Sequence, residues 1–288
     1  MLIERHNGAV VVRAPAKVNL FLEVLAKRPD GYHEIATLLV AVSLYDTLEF
    51  KEDSSGAVRL RCDVPELTTG PDNLVLKAAA LLRQRTGCAR GADVRLTKRI
   101  PMAAGLAGGS TDCAAALAGL NRLWRLGLSR DELARLGGEL GSDVPFFFHT
   151  PAAWCTGRGE MVTPLALGRP LDLVIAKPAV GLSTAEVYRG VTVPDRPWTG
   201  EEVRRAVADG DVEAIARHLH NRLQETAERL RPEIGAGLGR LRAEGPAGQL
   251  MSGSGTSLFA LCRDPGEARR VARAVKHDMR VYVVQSCS

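Results

Sequence analysis

Aromatic residues are scarce in this chain, only 5% of 288. Recognition of single-stranded nucleic acid leans on aromatic faces interleaved with Lys and Arg, so an RNA-binding module is disfavoured. Charge of one sign is equally thin. The formal net charge is +5 and its Arg residues are dispersed rather than blocked, which suits an anionic ligand without indicating a polyanion. No apolar run approaches the ~18 residues of a membrane helix, and the first residues lack a basic segment followed by an apolar one. We therefore expect a cytoplasmic protein with no membrane association and no nucleic-acid partner. The six cysteines (62, 88, 113, 155, 262 and 287) include no Cys-x-x-Cys pair, as expected of reduced thiols. No His, Cys, Asp or Glu spacing suggests a metal cluster.

What is present is ordinary in bulk, 45% hydrophobic and 25% charged, and long enough for two modest cores. The distinctive stretch is Pro101, Met102, Ala103, Ala104, Gly105, Leu106, Ala107, Gly108, Gly109, Ser110 and Thr111. Residues 92–100 before it alternate as a half-buried strand does, and residues 112–126 after it read as an Ala- and Leu-rich helix. Three glycines let backbone N–H groups approach an anion closely, and Ser110 and Thr111 stand where helix N-caps stand. The positive end of the helix dipole would favour phosphate there. A plain strand-to-helix turn is the alternative. A Walker loop is excluded because no Lys follows the last glycines, and a dinucleotide fingerprint because Ala107 replaces its second Gly.

Along the rest of the chain, residues 10–12 and 18–25 read as two strands with a bend at residues 13–17. Lys17 and Asn19 share parity, so both leave one face, toward a polar ligand or toward solvent. A turn at residues 28–33 presents Tyr32 and His33 together, which suits a flat heterocycle or an unpartnered surface loop. A strand at 35–42 continues toward Leu48 and Phe50, another covers 58–62, and a helix covers 74–84, closed by Gly87. Ser129 and Glu132 form a capping box for a helix at 130–137. Asp143 sits between a Gly-Ser turn and a Pro-Phe-Phe-Phe run, where a carboxylate either caps or performs chemistry. A strand at 171–177 opens a second domain. Thr184 and Tyr188 share a helical face, for packing or for a ligand. Residues 201–245 read as two or three helical pieces that include His218, His220 and Asn221. A hairpin around Ser252-Gly-Ser-Gly-Thr256, a helix at 265–277 and a strand at 280–285 close the chain.

Three blocks taken together, Ala14-Pro-Ala-Lys-Val-Asn19, the loop at 101–111 and Ser252-Gly-Ser-Gly-Thr256, resemble the GHMP kinase superfamily of small-molecule kinases. Within it, Arg28-Pro-Asp-Gly-Tyr-His-Glu34 and Gly141-Ser-Asp-Val-Pro-Phe146 are similar to the branch acting on a cytidine-diphosphate-linked methylerythritol in isoprenoid precursor synthesis. The likeness runs from about residue 10 to 285. It implies an α+β, two-domain fold, with an N-terminal domain at 1–165, a C-terminal domain at 166–288 and the active site in the cleft between them.

The resemblance further implies ATP and Mg²⁺, with Lys17 and Asp143 as the catalytic pair and residues 101–111 as the ATP loop. Asn19, Tyr32, His33, Lys98, Thr184 and Tyr188 would line the substrate pocket, and Ser110 or Thr111 would offer a hydroxyl to the metal. Tyr188 stands where Phe is usual and Ala107 where Gly is usual; the second would stiffen the loop if that position needs φ > 0. The amides near Gly108 and the Asp143 carboxyl should face one cavity. A monomer or weak homodimer is expected. Rival readings are a GHMP enzyme for mevalonate, homoserine or a sugar, whose substrates carry no base for Tyr32 and His33, and an ATP-responsive sensor, disfavoured by the intact Lys17 and Asp143.

Overall fold

Elements change type along the chain wherever the apolar period switches between two and 3.6. The computed structural model describes residues 1–287. In order these are β1 (Leu2–His6), β2 (Ala9–Lys27), β3 (His33–Asp53), β4 (Val58–Cys62), α1 (Leu74–Thr86), β5 (Gly91–Thr97), α2 (Gly108–Trp124) and α3 (Arg130–Leu140). A 3-10 turn at Pro145–Phe148 leads to β6 (Ala152–Thr156), β7 (Met161–Leu165), β8 (Asp172–Lys177), α4 (Thr184–Gly190), α5 (Glu201–Asp209), α6 (Val212–Arg217) and β9 (His220–Asn221). The chain ends with α7 (Gln224–Leu230), α8 (Pro232–Ala243), β10 (Gly248–Met251), β11 (Leu258–Cys262), α9 (Pro265–Val275) and β12 (Arg280–Gln285).

Contacts divide the chain into two compact units, each assembled from several stretches. Met1–Ala16, Leu44–Ile100 and Ala107–Phe148 form the first; Lys17–Ser43, Pro101–Leu106 and the residues from His149 onward form the second. In the first unit β1 is antiparallel to β2, β3 is antiparallel to β5, and β5 is parallel to β4. Leu48 and Phe50 of β3 and Val94 and Leu96 of β5 alternate inward and are fully buried. Each such side chain contributes about 1.5–3 kcal/mol when taken from water. Helix α2 is apolar nearly all round, as a helix covered on every side must be. Its Gly119 lets Phe50 in, since a Cβ there would stand 2.4 Å from the ring.

The caps explain where these helices stop and start. Asn73 accepts from the Val75 N–H and Gly87 closes α1 at φ +70°. The Ser129 and Glu132 capping box opens α3. Helix α2 begins at Gly108 rather than at Asp112, with Ala107 as its N-cap, so Ser110 and Thr111 lie inside the first turn and not at the cap.

The second unit holds β9 parallel to β2, β6 antiparallel to β3, and β7 antiparallel to β6. It also holds an antiparallel sheet in the order β10-β11-β8-β12. Val174 and Ala176 of β8 and Leu258 and Ala260 of β11 pack with Ile234, Leu238 and Leu241 of α8 and Val271 and Val275 of α9 in one core. Among the described residues no helix is long and apolar enough to cross a membrane. Burial pushes the Cys113 and Cys262 thiols up to about 12.

Other elements differ from expectation as well. The bend at residues 13–17 is absent, because β2 runs unbroken through Pro15. Pro15 lies beyond the β1 ladder, which ends at Arg13, and before the β9 pairing, which starts at Phe21. Residues 201–245 form four helices, and His220 and Asn221 lie on a short strand between α6 and α7 rather than in a helix. Strands β6 and β7 were not foreseen, since Ala-rich and Pro-containing runs carry little strand signal.

Candidate active site

In the second unit, β2 points Lys17 and Asn19 to the same side, and both are buried. Lys17 Nζ donates to Asn19 Oδ1 at 2.6 Å and to the Gly105 carbonyl at 2.8 Å. Asn19 Nδ2 donates to Thr37 Oγ1 at 2.9 Å, and that hydroxyl donates to the Phe21 carbonyl. Ser252 Oγ completes the ring, donating to the Gly105 carbonyl at 2.9 Å and accepting from the Asn19 N–H at 3.3 Å. An ammonium with such acceptors around it is fixed in direction as well as in charge.

The segment Pro101–Leu106 lies against this ring. The Leu106 carbonyl accepts from the Lys17 N–H at 3.2 Å and the Ala104 carbonyl from the Ser257 N–H at 3.1 Å. Gly105 holds φ +71°, and a Cβ there would stand 2.0 Å from the Ser252 carbonyl oxygen, so only glycine fits. Gly253, at φ +56°, backs the ammonium, since a Cβ on it would be 3.2 Å from Lys17 Nζ.

The same unit carries an aromatic group. The turn before β3 is closed by the Arg28 N–H donating to the Tyr32 carbonyl at 2.9 Å, and by Arg28 bridging Asp30 and Glu34 at 3.1 and 2.6 Å. It presents Tyr32, which is 55% exposed, under the Arg158 guanidinium, 5.0 Å from the ring centre. The His33 ring lies 5.3 Å from the Tyr188 ring of α4, tilted by 32°. Burial, then the charge of Lys27, holds His33 below its usual pKa, so its imidazole is neutral at pH 7. Thr184 Oγ1 lies 2.8 Å from Ser254 Oγ on the second glycine loop.

In the first unit, Gly108, Gly109 and Ser110 begin α2, whose first N–H groups have no helical acceptor. Ala107 takes φ +55°, so the position where Gly is usual does require the left-handed region, and its methyl costs the loop about 1 kcal/mol. A Cβ on Gly108 would stand 3.2 Å from Lys98 Nζ, which lies under the helix start.

Lys98 is 5% exposed and donates to Asp46 and, at 2.7 Å, to Asp112. Asp46 also accepts from the Arg99 and Ile100 N–H groups. Burial drives Lys98 down, but the two carboxylates outweigh it and hold the ammonium above its usual pKa. Burial likewise drives Asp112 up, and Asp46 beside it adds to this against the pull of Lys98. Lys98 thus sits between two buried carboxyl groups, and its ammonium offsets the cost of burying them. Lys98 is tied on its own unit to Asp46 and Asp112.

Asp143 is half-buried on the turn after α3, where the Val144 N–H donates to the Gly141 carbonyl at 3.1 Å and the following Phe146, Phe147 and Phe148 are buried. Gly137 admits this turn, since a Cβ there would be 2.6 Å from Val144. The turn also lies beside the start of α2: a Cβ on Gly141 would stand 4.0 Å from Ser110 Oγ. A carboxylate thus follows, two residues on, a glycine neighbouring the helix end that attracts anions.

The hydrogen bonds of Ser252 and the positions of Asp46, Asp112 and Glu23 are not legible in the sequence, and Asn221 reads there only as part of a helix. Asp112, one residue beyond the glycine loop, was the visible clue. The others are isolated polar residues whose partners are remote along the chain.

Known proteins resemble this chain over most of its length. The family model described as "GHMP kinases N terminal domain" matches residues 73–150, and that described as "GHMP kinases C terminal" matches residues 203–281. The protein named 4-diphosphocytidyl-2-C-methyl-D-erythritol kinase of Symbiobacterium thermophilum is 45% identical over 269 residues, covering 92% of this chain and 95% of that protein. The same-named protein of Shouchella clausii is 41% identical over 266 residues, covering 92% and 90%. A crystal structure of 4-(cytidine 5'-diphospho)-2C-methyl-D-erythritol kinase superposes with a TM-score of 0.82 at 38% identity, over 96% of this chain and 99% of that one. A nucleotide-dependent kinase of the α+β, two-domain type is the class that these features define. The chain belongs to the GHMP kinases and, among them, to the 4-diphosphocytidyl-2-C-methyl-D-erythritol kinase family.

Proposed function

We propose that this kinase moves the γ-phosphoryl group of ATP to a hydroxyl of the methylerythritol part of 4-diphosphocytidyl-2-C-methyl-D-erythritol, giving the 2-phosphate in the non-mevalonate route to isoprenoid precursors. The observation that carries the choice of substrate is the aromatic group. His33 and Tyr188 are in ring contact, with Tyr32 exposed on the adjoining turn, in a chain otherwise poor in aromatics. Such faces suit a pyrimidine base, and a neutral His33 can donate one hydrogen bond and accept another. Mevalonate, homoserine and simple sugars offer nothing to stack.

In the reaction the substrate hydroxyl oxygen bonds to the γ-phosphorus as the bond from phosphorus to the β,γ-bridging oxygen breaks, and ADP leaves. Asp143 orients that hydroxyl and accepts its proton. Lys17, directed by Asn19 and Gly105, supplies positive charge that draws charge from the hydroxyl. Since the transition state is loose, positioning and charge stabilisation dominate. The α2 N–H groups and the loop from Pro101 to Thr111 hold the phosphates, and Asn19 and Thr184 contribute polar edges to the substrate side. Lys98 acts from beneath the loop, fixing its entry through Asp46 and the helix start through Asp112.

Mg²⁺ would accompany the nucleotide. The ion would be held mostly by phosphate and water. Ser110 is the accessible hydroxyl for it, because Thr111 is fully buried. When bound, the ion neutralises phosphate charge. The enzyme would work in the cytoplasm, as a monomer or weak homodimer, on small molecules only.

Measuring ADP release against a panel of this cytidyl substrate, mevalonate, homoserine and galactose tests the reading; turnover of only one of the last three would overturn it. Asp143→Ala should lower kcat by about 10² or more. His33→Ala should mainly raise KM for the cytidyl substrate, and an unchanged KM would move base recognition elsewhere.

A further inference from the structure

Asn221 is a buried polar side chain that the mechanism above does not use. Its Nδ2 donates to two backbone carbonyls of the second glycine loop, Met251 at 2.7 Å and Gly253 at 2.8 Å. Its Oδ1 accepts from the Leu223 N–H at 3.0 Å. The two donors of the amide and one lone pair are therefore committed, and the amide cannot be flipped without opposing carbonyl to carbonyl. The backbone of Asn221 is itself fixed, because β9 pairs with β2 through Leu22 and the next N–H, of Arg222, donates to the Leu22 carbonyl at 2.9 Å.

What that amide holds is the back wall of the ammonium. Gly253 approaches Lys17 Nζ so closely that even a methyl would press on it, and Ser252 shares the Gly105 carbonyl with Lys17. We infer that Asn221 is a positioning residue for phosphoryl transfer, pinning the 251–253 segment so that Lys17 is aimed. The inference rests on the role given to Lys17 under the proposed function. Asn221 is buried with its amide committed to backbone groups, so its loss should show in kcat and not in binding. A displacement of about 1 Å at a reacting group costs up to about 10² in rate.

The test uses the full chain. Asn221→Asp keeps the acceptor and the shape but turns a carboxylate oxygen toward the two carbonyls. Asn221→Ser keeps a hydroxyl donor, leaves room for water, and serves where the Asp variant folds poorly. For each, sites are counted by titration with cytidine diphosphate and kcat is expressed per titrated site, so that a loss of folded protein alone changes nothing. The expected result is kcat per site lower by about tenfold or more, with KM for the cytidyl substrate within about twofold of wild type. Unchanged kcat per site, or a change confined to KM, overturns the inference. Lys17→Ala run alongside separates the two claims. If that variant is inactive while the Asn221 variants turn over normally, only the role of Asn221 falls; if Lys17→Ala turns over normally, the role of Lys17 falls with it.

Discussion

Replacing Gly105 by Ala adds a single methyl, and the structure says where it goes. The residue sits at φ +71°, a region that costs an L-residue with a Cβ about 1–2 kcal/mol. The new carbon would lie 2.0 Å from the Ser252 carbonyl oxygen and 3.1 Å from the Gly255 nitrogen. Both neighbours are backbone, so no side chain can swing away, and the two loops must part. Overpacking of that kind costs about 1–3 kcal/mol, so Gly105→Ala should destabilise the fold by about 2–5 kcal/mol in all.

Separation of the loops also breaks the shared acceptor, since the Gly105 carbonyl receives both Lys17 Nζ and Ser252 Oγ. Turnover should fall by about 10² as the ammonium loses its aim. Urea unfolding followed by circular dichroism gives the first quantity and steady-state ADP release the second. Gly31→Ala is the control, because its φ is +86° but nothing lies within 4 Å of the added carbon, so it should cost only the backbone penalty of about 1–2 kcal/mol. If Gly105→Ala is no more destabilising than Gly31→Ala and keeps wild-type turnover, the close approach of the two loops is not a constraint and the reasoning fails.

Lys98→Met strips Asp46 of its partner in a buried cluster and should cost about 3–5 kcal/mol in a denaturant titration; a loss under 1 kcal/mol would contradict the ion pair. Ala107→Gly relieves a left-handed alanine and should raise stability by up to about 1 kcal/mol in thermal melts with turnover preserved, whereas destabilisation would argue against φ +55°. Glu23 is fully buried, and burial alone would raise its pKa. Two bonds from Arg222, the nearby His220 and the N–H groups of Trp198 and Val24 outweigh burial and hold it well below the usual carboxylate range. Its contribution to stability is thus complete above the unfolded value of about 4.3 and is lost as pH falls toward the folded one. The stability gap between wild type and Arg222→Met should narrow as pH drops from about 7 to about 3, and a pH-independent gap would refute the assignment.

The helices with side-chain caps and the strands with strict alternation were legible because their signals are local. Asn73, Gly87, Ser129 and Glu132 announce their termini within four residues, and the last helix and strand declare themselves by period alone. The loop at 101–111 was visible through glycine, yet its helix starts at Gly108 because an alanine supplies the left-handed cap, which no propensity favours. Lys98 alternates with Val94 and Leu96 in the sequence, but Asp46, which faces it, stands 52 positions away. The ring around Lys17 joins residues up to 233 positions apart, a closure that chain spacing cannot express. The motifs that carry the resemblance are local, whereas the bonds of Ser252 to Asn19 and Gly105 span the chain.

The tripeptide His220-Asn221-Arg222 has one further consequence. Neighbouring residues on an extended backbone face opposite ways, so the outer two meet Glu23 while the middle one reaches the 251–253 segment. Deleting or inserting one amino acid between α6 and this point would swap the two sides at once. A guanidinium or imidazole would then be presented to Met251 and Gly253, and Glu23 would meet an amide in place of a cation. Length variation, tolerated in most connecting segments, is for that reason barred from this one.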